Sequence, residues 1–202
     1  SEAYFVCVGT IEQRKNHAML LRIWERMASR MGAGTPRLLI IGQWGVKADI
    51  VRDMLQASSA LRQHVTVLTH CSDSEMGRLM KGARALRMPT LAEGFGLSVA
   101  EALAIGTPVI ASALACFRET GQGVPTLLDP GAEPAWEDMI GAFSAGHPER
   151  DRQLAMMRQY RPISWHDHFS SVENWLSTLP SSLQEGRAAS ELTSVRTPEL
   201  MA

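Results

Sequence analysis

The chain has 202 residues, 45% of them hydrophobic and 20% charged, with a formal net charge of −1. Such values belong to an ordinary globular protein with a real core, not to a disordered or fibrous one. A nearly neutral balance leaves no electrostatic footprint for nucleic acid as a partner, and no apolar run approaches the roughly 20 residues of a membrane span.

In chain order, YFVCVG at Tyr4–Gly9 predicts a buried strand that begins almost at the first residue. That start, without an initiator Met or a signal-peptide pattern, reads as a piece of a longer polypeptide whose missing part lies upstream. A helix follows over about Asn16–Met31, where Leu20, Trp24, Met27 and Met31 form an apolar stripe and Arg22, Glu25, Arg26 and Arg30 lie off it. Gly32–Pro36 stops that helix, RLLIIG at Arg37–Gly42 predicts a second strand, and Ala48–Ser58 a second helix. HVTVLT at His64–Thr69 predicts a third strand, and Ser72 with Glu75 forms a capping box opening a helix that ends near Gly82.

ALRMP at Ala85–Pro89 predicts a short strand; its Arg87 is unexpected for a buried position and is placed at a sheet edge. A helix over Leu97–Ile105, strands at Pro108–Ser112 and Pro125–Asp129, and helices over Glu133–Ala145, Glu149–Tyr160 and Trp165–Leu179 complete the series. Strands alternating with helices predict an α/β fold, a doubly wound parallel sheet of Rossmann-like type, filling residues 1–180. Residues 181–202 lose periodicity and read as a polar tail or linker. Such sheets bind ligands at the carboxyl ends of their strands, so the loops after Gly9, Gly42, Thr69 and Pro89 are the candidate sites.

The three cysteines, Cys7, Cys71 and Cys116, are widely spaced in or beside apolar segments and read as reduced thiols of a cytoplasmic protein. Gly42-Gln-Trp-Gly45 is not the glycine spacing of a dinucleotide site. His166 and His168 lack companion ligands, and Ser164 capping onto Asp167 accounts for the local pattern, so no metal is expected.

The informative stretch is EGFGLSVAEALAIGTPVI, Glu93–Ile110, with acids at Glu93 and Glu101. Gly94 and Gly96 around Phe95 allow backbone N–H groups to approach a ligand, and the helix behind them adds partial positive charge. Glu93 has no evident local structural role and, ionised, accepts hydrogen bonds from hydroxyls. Glu101 has two readings: a ligand contact, or the distal half of a capping box with Ser98. Arg14 and Lys15 also have two readings, a solvated pair or an anion clamp; at a helix N-terminus their charge opposes the macrodipole unless an anion arrives.

Glu93–Ser112 resembles the signature of retaining glycosyltransferases of family 4, which have the GT-B fold: two glutamates separated by seven residues, then a helix and a Gly-x-Pro-Val strand. VGTIEQRKNHAMLLRIWERM, the segment leading up to Glu93, and FRETGQGVPTLLDPGAEPAWEDMI resemble the same family in the same order across about residues 4–145, and SWHDHF does so more loosely. The resemblance implies the C-terminal, nucleotide-sugar-binding half of such an enzyme, with the acceptor-binding N-terminal domain missing from these residues. It implies that Glu93 holds donor-sugar hydroxyls and that the Gly94, Phe95, Gly96 and Leu97 backbone meets sugar and phosphate. By the same token Glu101 takes the ribose, His70 and Cys71 frame the base, and Lys15 with Arg14 neutralises the diphosphate. No metal or other cofactor is needed, because those groups compensate the charge.

The GTIEQRKNH opening resembles bacterial mannosyltransferases of surface-polysaccharide assembly, which implies GDP-mannose as donor and a glycan or lipid-linked acceptor. Any membrane association is then peripheral. Two departures stand out: Thr10 replaces a frequent arginine, and Ser98 a frequent proline. A non-catalytic scaffold domain and half of a sugar-nucleotide epimerase are the other classes compatible with this architecture.

Overall fold

The computed structural model describes residues 3–162 and 164–179. The expected polar tail at 181–202 lies outside the described residues. Two compact units divide at Pro162.

The first unit is built on a six-stranded sheet with strand order β3-β2-β1-β4-β5-β6. The strands are β1 (Tyr4–Val8), β2 (Arg37–Ile41), β3 (Val65–Leu68), β4 (Leu86–Met88), β5 (Val109–Ser112) and β6 (Thr126–Leu128). Every pairing is parallel, as the alternation of strands and helices leads one to expect. Successive side chains on a strand point to opposite faces, and here both faces are covered. Phe5, Cys7, Leu38, Ile40 and Ile110 face α1 (His17–Met31) and α7 (Glu133–Ala145). Val6, Val8, Leu86, Met88, Val109 and Ala111 face α4 (Asp73–Gly82), α5 (Leu97–Ala104) and α6 (Ala115–Gly121). That is why the strands read as apolar runs rather than as alternating ones.

Two short helices were not legible as separate elements. The helix expected over Ala48–Ser58 is α2 (Asp49–Ala57), and Ser58 then caps a further helix, α3 (Ser59–His64), accepting the Leu61 N–H at 3.3 Å. The second is α6, seven residues with no capping side chain. α8 (Pro148–Met157) closes the unit, and its buried Gln153 bonds both the N–H and the carbonyl of Val109 at 2.7 and 2.9 Å. In the second unit α9 (Trp165–Ser177) opens with the expected capping box, Ser164 Oγ donating to Asp167 at 2.6 Å.

The arginines left off the apolar stripe of α1 have partners on α7. Arg22 meets Glu133 at 2.5 Å, Arg26 meets Glu133 at 2.8 Å and Glu137 at 2.9 Å, and Arg30 meets Glu137 at 2.6 Å. Burial opposes ionisation of both glutamates, but the arginine hydrogen bonds and charges outweigh it and hold both carboxyls below their usual range. Met31, expected on the buried stripe, is exposed at the end of α1.

Arg87 corrects an expectation. β4 lies between β1 and β5, not at an edge, and Arg87 is fully buried. Its guanidinium sits 4.0 Å over the Phe5 ring and 5.6 Å from that of Phe143, and none of its nitrogens has a hydrogen-bond partner. Burial therefore pulls its pKa well down. Ring faces offset part of the desolvation cost of a cation but leave the N–H groups unsatisfied. Replacing Arg87 with Met, which fills similar length without a charge, is expected to raise stability by about 1 to 4 kcal/mol in urea denaturation. A loss of stability would show instead that ordered water satisfies the guanidinium.

Candidate functional site

β1 and β4 are neighbours, yet the chain leaves β1 for β2 on one side and β4 for β5 on the other. The loops after them diverge, opening a crevice at their carboxyl ends, where doubly wound sheets place ligands. The loop after β1 carries Arg14 and Lys15; the loop after β4 carries Glu93–Gly96.

The first loop is fixed from the side of β2. The Gly9 N–H bonds Ile41 O at 2.9 Å, Ile11 N–H bonds Gln43 O at 2.8 Å, and Gly45 N–H bonds Ile11 O at 2.9 Å. Gly42 must be glycine here, since a Cβ would stand 2.0 Å from the Gly9 carbonyl oxygen. Beyond it a short 3-10 turn, Gln13–Lys15, delivers the two cations, and Asn16 adopts a left-handed conformation with φ 58° before α1 begins. The Asn16 amide donates to both Pro89 O and Pro130 O at 3.2 Å, tying the loops after β1, β4 and β6 together. The Arg14 carbonyl adds a second tie, accepting from Leu91 N–H at 2.8 Å and Thr90 Oγ1 at 3.0 Å. Asn16 read in the sequence only as the start of a helix, although Asn is the residue that most readily takes this backbone conformation after glycine.

Within the crevice the Lys15 ammonium donates to the Glu93 carboxylate, and both side chains are largely buried. Burial works against the Glu93 charge, but the Lys15 hydrogen bond and charge, with Arg14 behind, bring the carboxyl below its usual range. Arg14 lies less free than the sequence suggests. It donates to Glu12 at 2.6 Å and to the Ala92 carbonyl at 2.6 Å, and stands 3.6 Å from Glu93. It braces one loop against the other while remaining half-exposed.

α5 starts earlier than the capping-box pattern implies. Gly96, with φ 89°, is its N-cap, and Ser98 is already inside the helix with no capping bond. The Ser98–Glu101 capping reading is therefore overturned: the pattern is present, but the helix enters two residues ahead of it. Glu101 is exposed on α5 without a capping duty, and partial desolvation and the charge of Asp73 raise its pKa. The first N–H groups of any helix lack intrahelical acceptors. At α5 those groups border a cavity of about 250 Å³ lined by Lys15, Met88, Glu93, Phe95, Gly96, Leu97 and Ser98. Gly94, Phe95 and Leu97 are exposed at its rim.

His70 and Cys71 lie at the end of β3, with Leu68, Glu75, Arg78 and Leu79 around a second cavity of about 320 Å³. Glu75 is engaged there in the expected capping box with Ser72. The site thus combines paired opposite charges, free helix N–H groups and an exposed carboxylate on one rim of the sheet. That set suits a ligand carrying both an anion and hydroxyls. Among the described residues, no three His, Cys, Asp or Glu side chains form a potential metal cluster, and no helix is long and apolar enough to cross a membrane.

A family model described as glycosyl transferases group 1 matches residues 2–144. The serotype-specific mannosyltransferase WbdA of Escherichia coli is 34% identical over 181 residues, which cover 87% of this chain and 21% of WbdA. The D-inositol 3-phosphate glycosyltransferase of Corynebacterium urealyticum is 27% identical over 191 residues, 90% of this chain and 44% of that protein. A point mutant of S. aureus TarM, solved with fondaparinux, α-GlcNAc-glycerol and UDP, superposes with a TM-score of 0.70 at 17% identity, over 87% of this chain and 35% of TarM. The chain therefore spans less than half the length of each of these proteins.

Glu93 occupies the cation that an incoming anion would need. Glu93→Gln is accordingly expected to tighten binding of inorganic pyrophosphate about fivefold by freeing Lys15, read by calorimetric titration. Unchanged or weaker binding would show that Lys15 is not held in reserve by Glu93.

Proposed function

Because the chain belongs to the glycosyl transferases group 1 family, we propose that the crevice between the loops after β1 and β4 binds a nucleoside diphosphate sugar for transfer of its hexose to an acceptor hydroxyl. The observation that carries this reading is the meeting of Lys15, Glu93 and the α5 N-terminus around one cavity. Lys15 and the helix N–H groups would take the diphosphate, and Glu93, released from Lys15, the sugar hydroxyls. Backbone of Gly94, Phe95, Gly96 and Leu97 lines the path between them. Glu101, raised in pKa and free of capping, suits a ribose diol. His70 and Cys71 border a separate cavity at the end of β3 that suits the base. Arg14 supports Lys15 by holding the loops in register and adding charge nearby.

In this reading transfer retains the anomeric configuration and needs no metal. When the bond from sugar to diphosphate breaks, its electron pair moves onto the diphosphate. A preorganised cation and helix N-terminus stabilise that developing charge without solvent reorganisation. Mannosyltransferases among the relatives favour mannose as the hexose and GDP as its carrier, and a glycan or lipid-linked acceptor. UDP in the TarM structure makes uridine the competing base. The acceptor would be presented by a further domain, so the chain by itself is expected to bind donor weakly and transfer nothing.

Calorimetric titration with GDP, UDP, GDP-mannose and UDP-glucose tests this reading. One nucleotide is expected to bind saturably, with Lys15→Ala weakening it about tenfold and Glu101→Ala by a smaller factor. No binding of any of them by folded protein would overturn the donor reading in favour of a non-catalytic scaffold. Transfer from a radiolabelled donor by this chain alone would overturn the expected need for a second domain.

A further inference from the structure

The loop after β4 owes its shape to a residue that no sequence motif marks. Thr120, in the last turn of α6 and only 6% exposed, donates its hydroxyl proton to the Phe95 carbonyl at 2.7 Å. In a planar trans peptide the carbonyl and the N–H point in opposite directions. With its carbonyl drawn to α6, the Phe95–Gly96 peptide must turn the Gly96 N–H away from α6. The cavity on that other side is lined by Lys15 and Glu93 together with Phe95 and Gly96, and by no residue of α6.

Two further contacts fix the arrangement. Gly96 packs so closely on the Phe117 ring that a Cβ would come within 2.7 Å of it, which leaves the α-carbon one place to sit. The Thr120 carbonyl in turn accepts from the buried Tyr160 hydroxyl at 3.1 Å, so the end of α6 is held from behind. A hydroxyl has a single proton to give, and Thr120 commits it to this peptide.

We propose that Thr120 is a positioning residue of the donor site, which, by holding the Phe95 carbonyl, aims the Gly96 N–H at the distal phosphate of a bound nucleoside diphosphate. The inference rests on the donor reading above and adds to it the residue that sets the orientation of its anion-binding peptide. Without that hydroxyl nothing else among the described residues holds the Phe95 carbonyl toward α6, and the peptide is free to rotate. The distal phosphate then loses a preorganised donor, while the nucleoside and the proximal phosphate keep theirs.

The test compares the wild-type chain with Thr120→Val, which keeps shape and removes the hydroxyl, and Thr120→Ser, which keeps the hydroxyl. GDP, UDP, GMP and UMP are titrated into each, alongside thermal melts. Thr120→Val is expected to bind the preferred diphosphate about tenfold more weakly, with its monophosphate affinity and melting temperature near the wild-type values. Thr120→Ser should stay at the wild-type level. Equal losses for mono- and diphosphate, no loss at all, or a Thr120→Ser variant as weak as Thr120→Val would overturn the proposal and leave the donor reading standing. Wild-type protein that binds none of the four nucleotides would overturn the donor reading and this inference with it. Should Thr120→Val not fold, the wild-type Gly96 amide resonance decides: it shifts on adding the bound diphosphate but not the monophosphate, and a silent Gly96 amide overturns the proposal.

Discussion

The site depends on one topological constraint, the adjacency of β1 and β4. Two neighbouring parallel strands whose onward connections run to opposite sides cannot close the gap between their exits. Into that gap the chain sends the loop that carries Arg14 and Lys15 and the loop that carries Glu93. An open crevice lined by cations on one side and a carboxylate on the other would be free to spread, and the structure prevents it with neutral ties. Asn16 bonds Pro89 and Pro130, and the Arg14 carbonyl takes Leu91 and Thr90. These bonds set the distance at which Lys15 and Glu93 meet, so the ion pair is a consequence of the frame rather than its cause.

The pair itself stabilises the fold little. Desolvating an ammonium and a carboxylate together costs about as much as their attraction returns, and Arg14 lies near enough to Glu93 to share it. Its value lies in what it keeps available. In the proposed reading a diphosphate would compete with Glu93 for Lys15, and a released Glu93 would be free to accept from hydroxyls. The same buried geometry that leaves the pair nearly neutral for stability would, in that reading, make it responsive to an anion. Arg14 has Glu12 and the Ala92 carbonyl as partners, so in the proposed reading the weight of anion binding would fall on Lys15 and the α5 N-terminus.

What the sequence disclosed follows the range of the forces involved. The strands were legible because burial on both faces writes an unbroken apolar run, and the Ser72–Glu75 and Ser164–Asp167 boxes because a capping box is a local device. The same four-residue pattern failed at Ser98 and Glu101. There α5 begins at Leu97, as the helical pattern predicted, with Gly96 in a left-handed conformation as its N-cap and packed on the Phe117 ring, so Ser98 already lies inside the helix. α6 escaped notice for a related reason: it is short and uncapped, and its Thr120 hydroxyl and Phe117 ring are spent on the loop after β4 rather than on its own termini. Glu93, Lys15 and the glycines could be named from their motif, whereas Asn16 and Thr120 could not, since their roles exist only between segments far apart in the chain. Arg87 stands against the pattern altogether, a fully buried cation in a central strand, stacked on the Phe5 and Phe143 rings.

The back of the domain bears on the front through these same long-range contacts. Asn16 opens α1, and α1 is held to α7 by the arginine and glutamate ladder from Arg22–Glu133 to Arg30–Glu137. Each surface pair contributes at most about 1 kcal/mol, but five charges sharing partners along both helices fix their register more firmly than one pair would. Pro130, which accepts from Asn16, belongs to the loop that leads into α7, and Trp136 within α7 bonds the Asp129 carbonyl of that loop at 2.8 Å. A slip of α7 along α1 would therefore move Pro130 and loosen Asn16. Asn16 also holds Pro89, so the slip would reach the loop that carries Glu93. The ladder and the crevice lie at different places on the molecule, yet a single residue in a left-handed conformation makes the packing of one a condition for the geometry of the other.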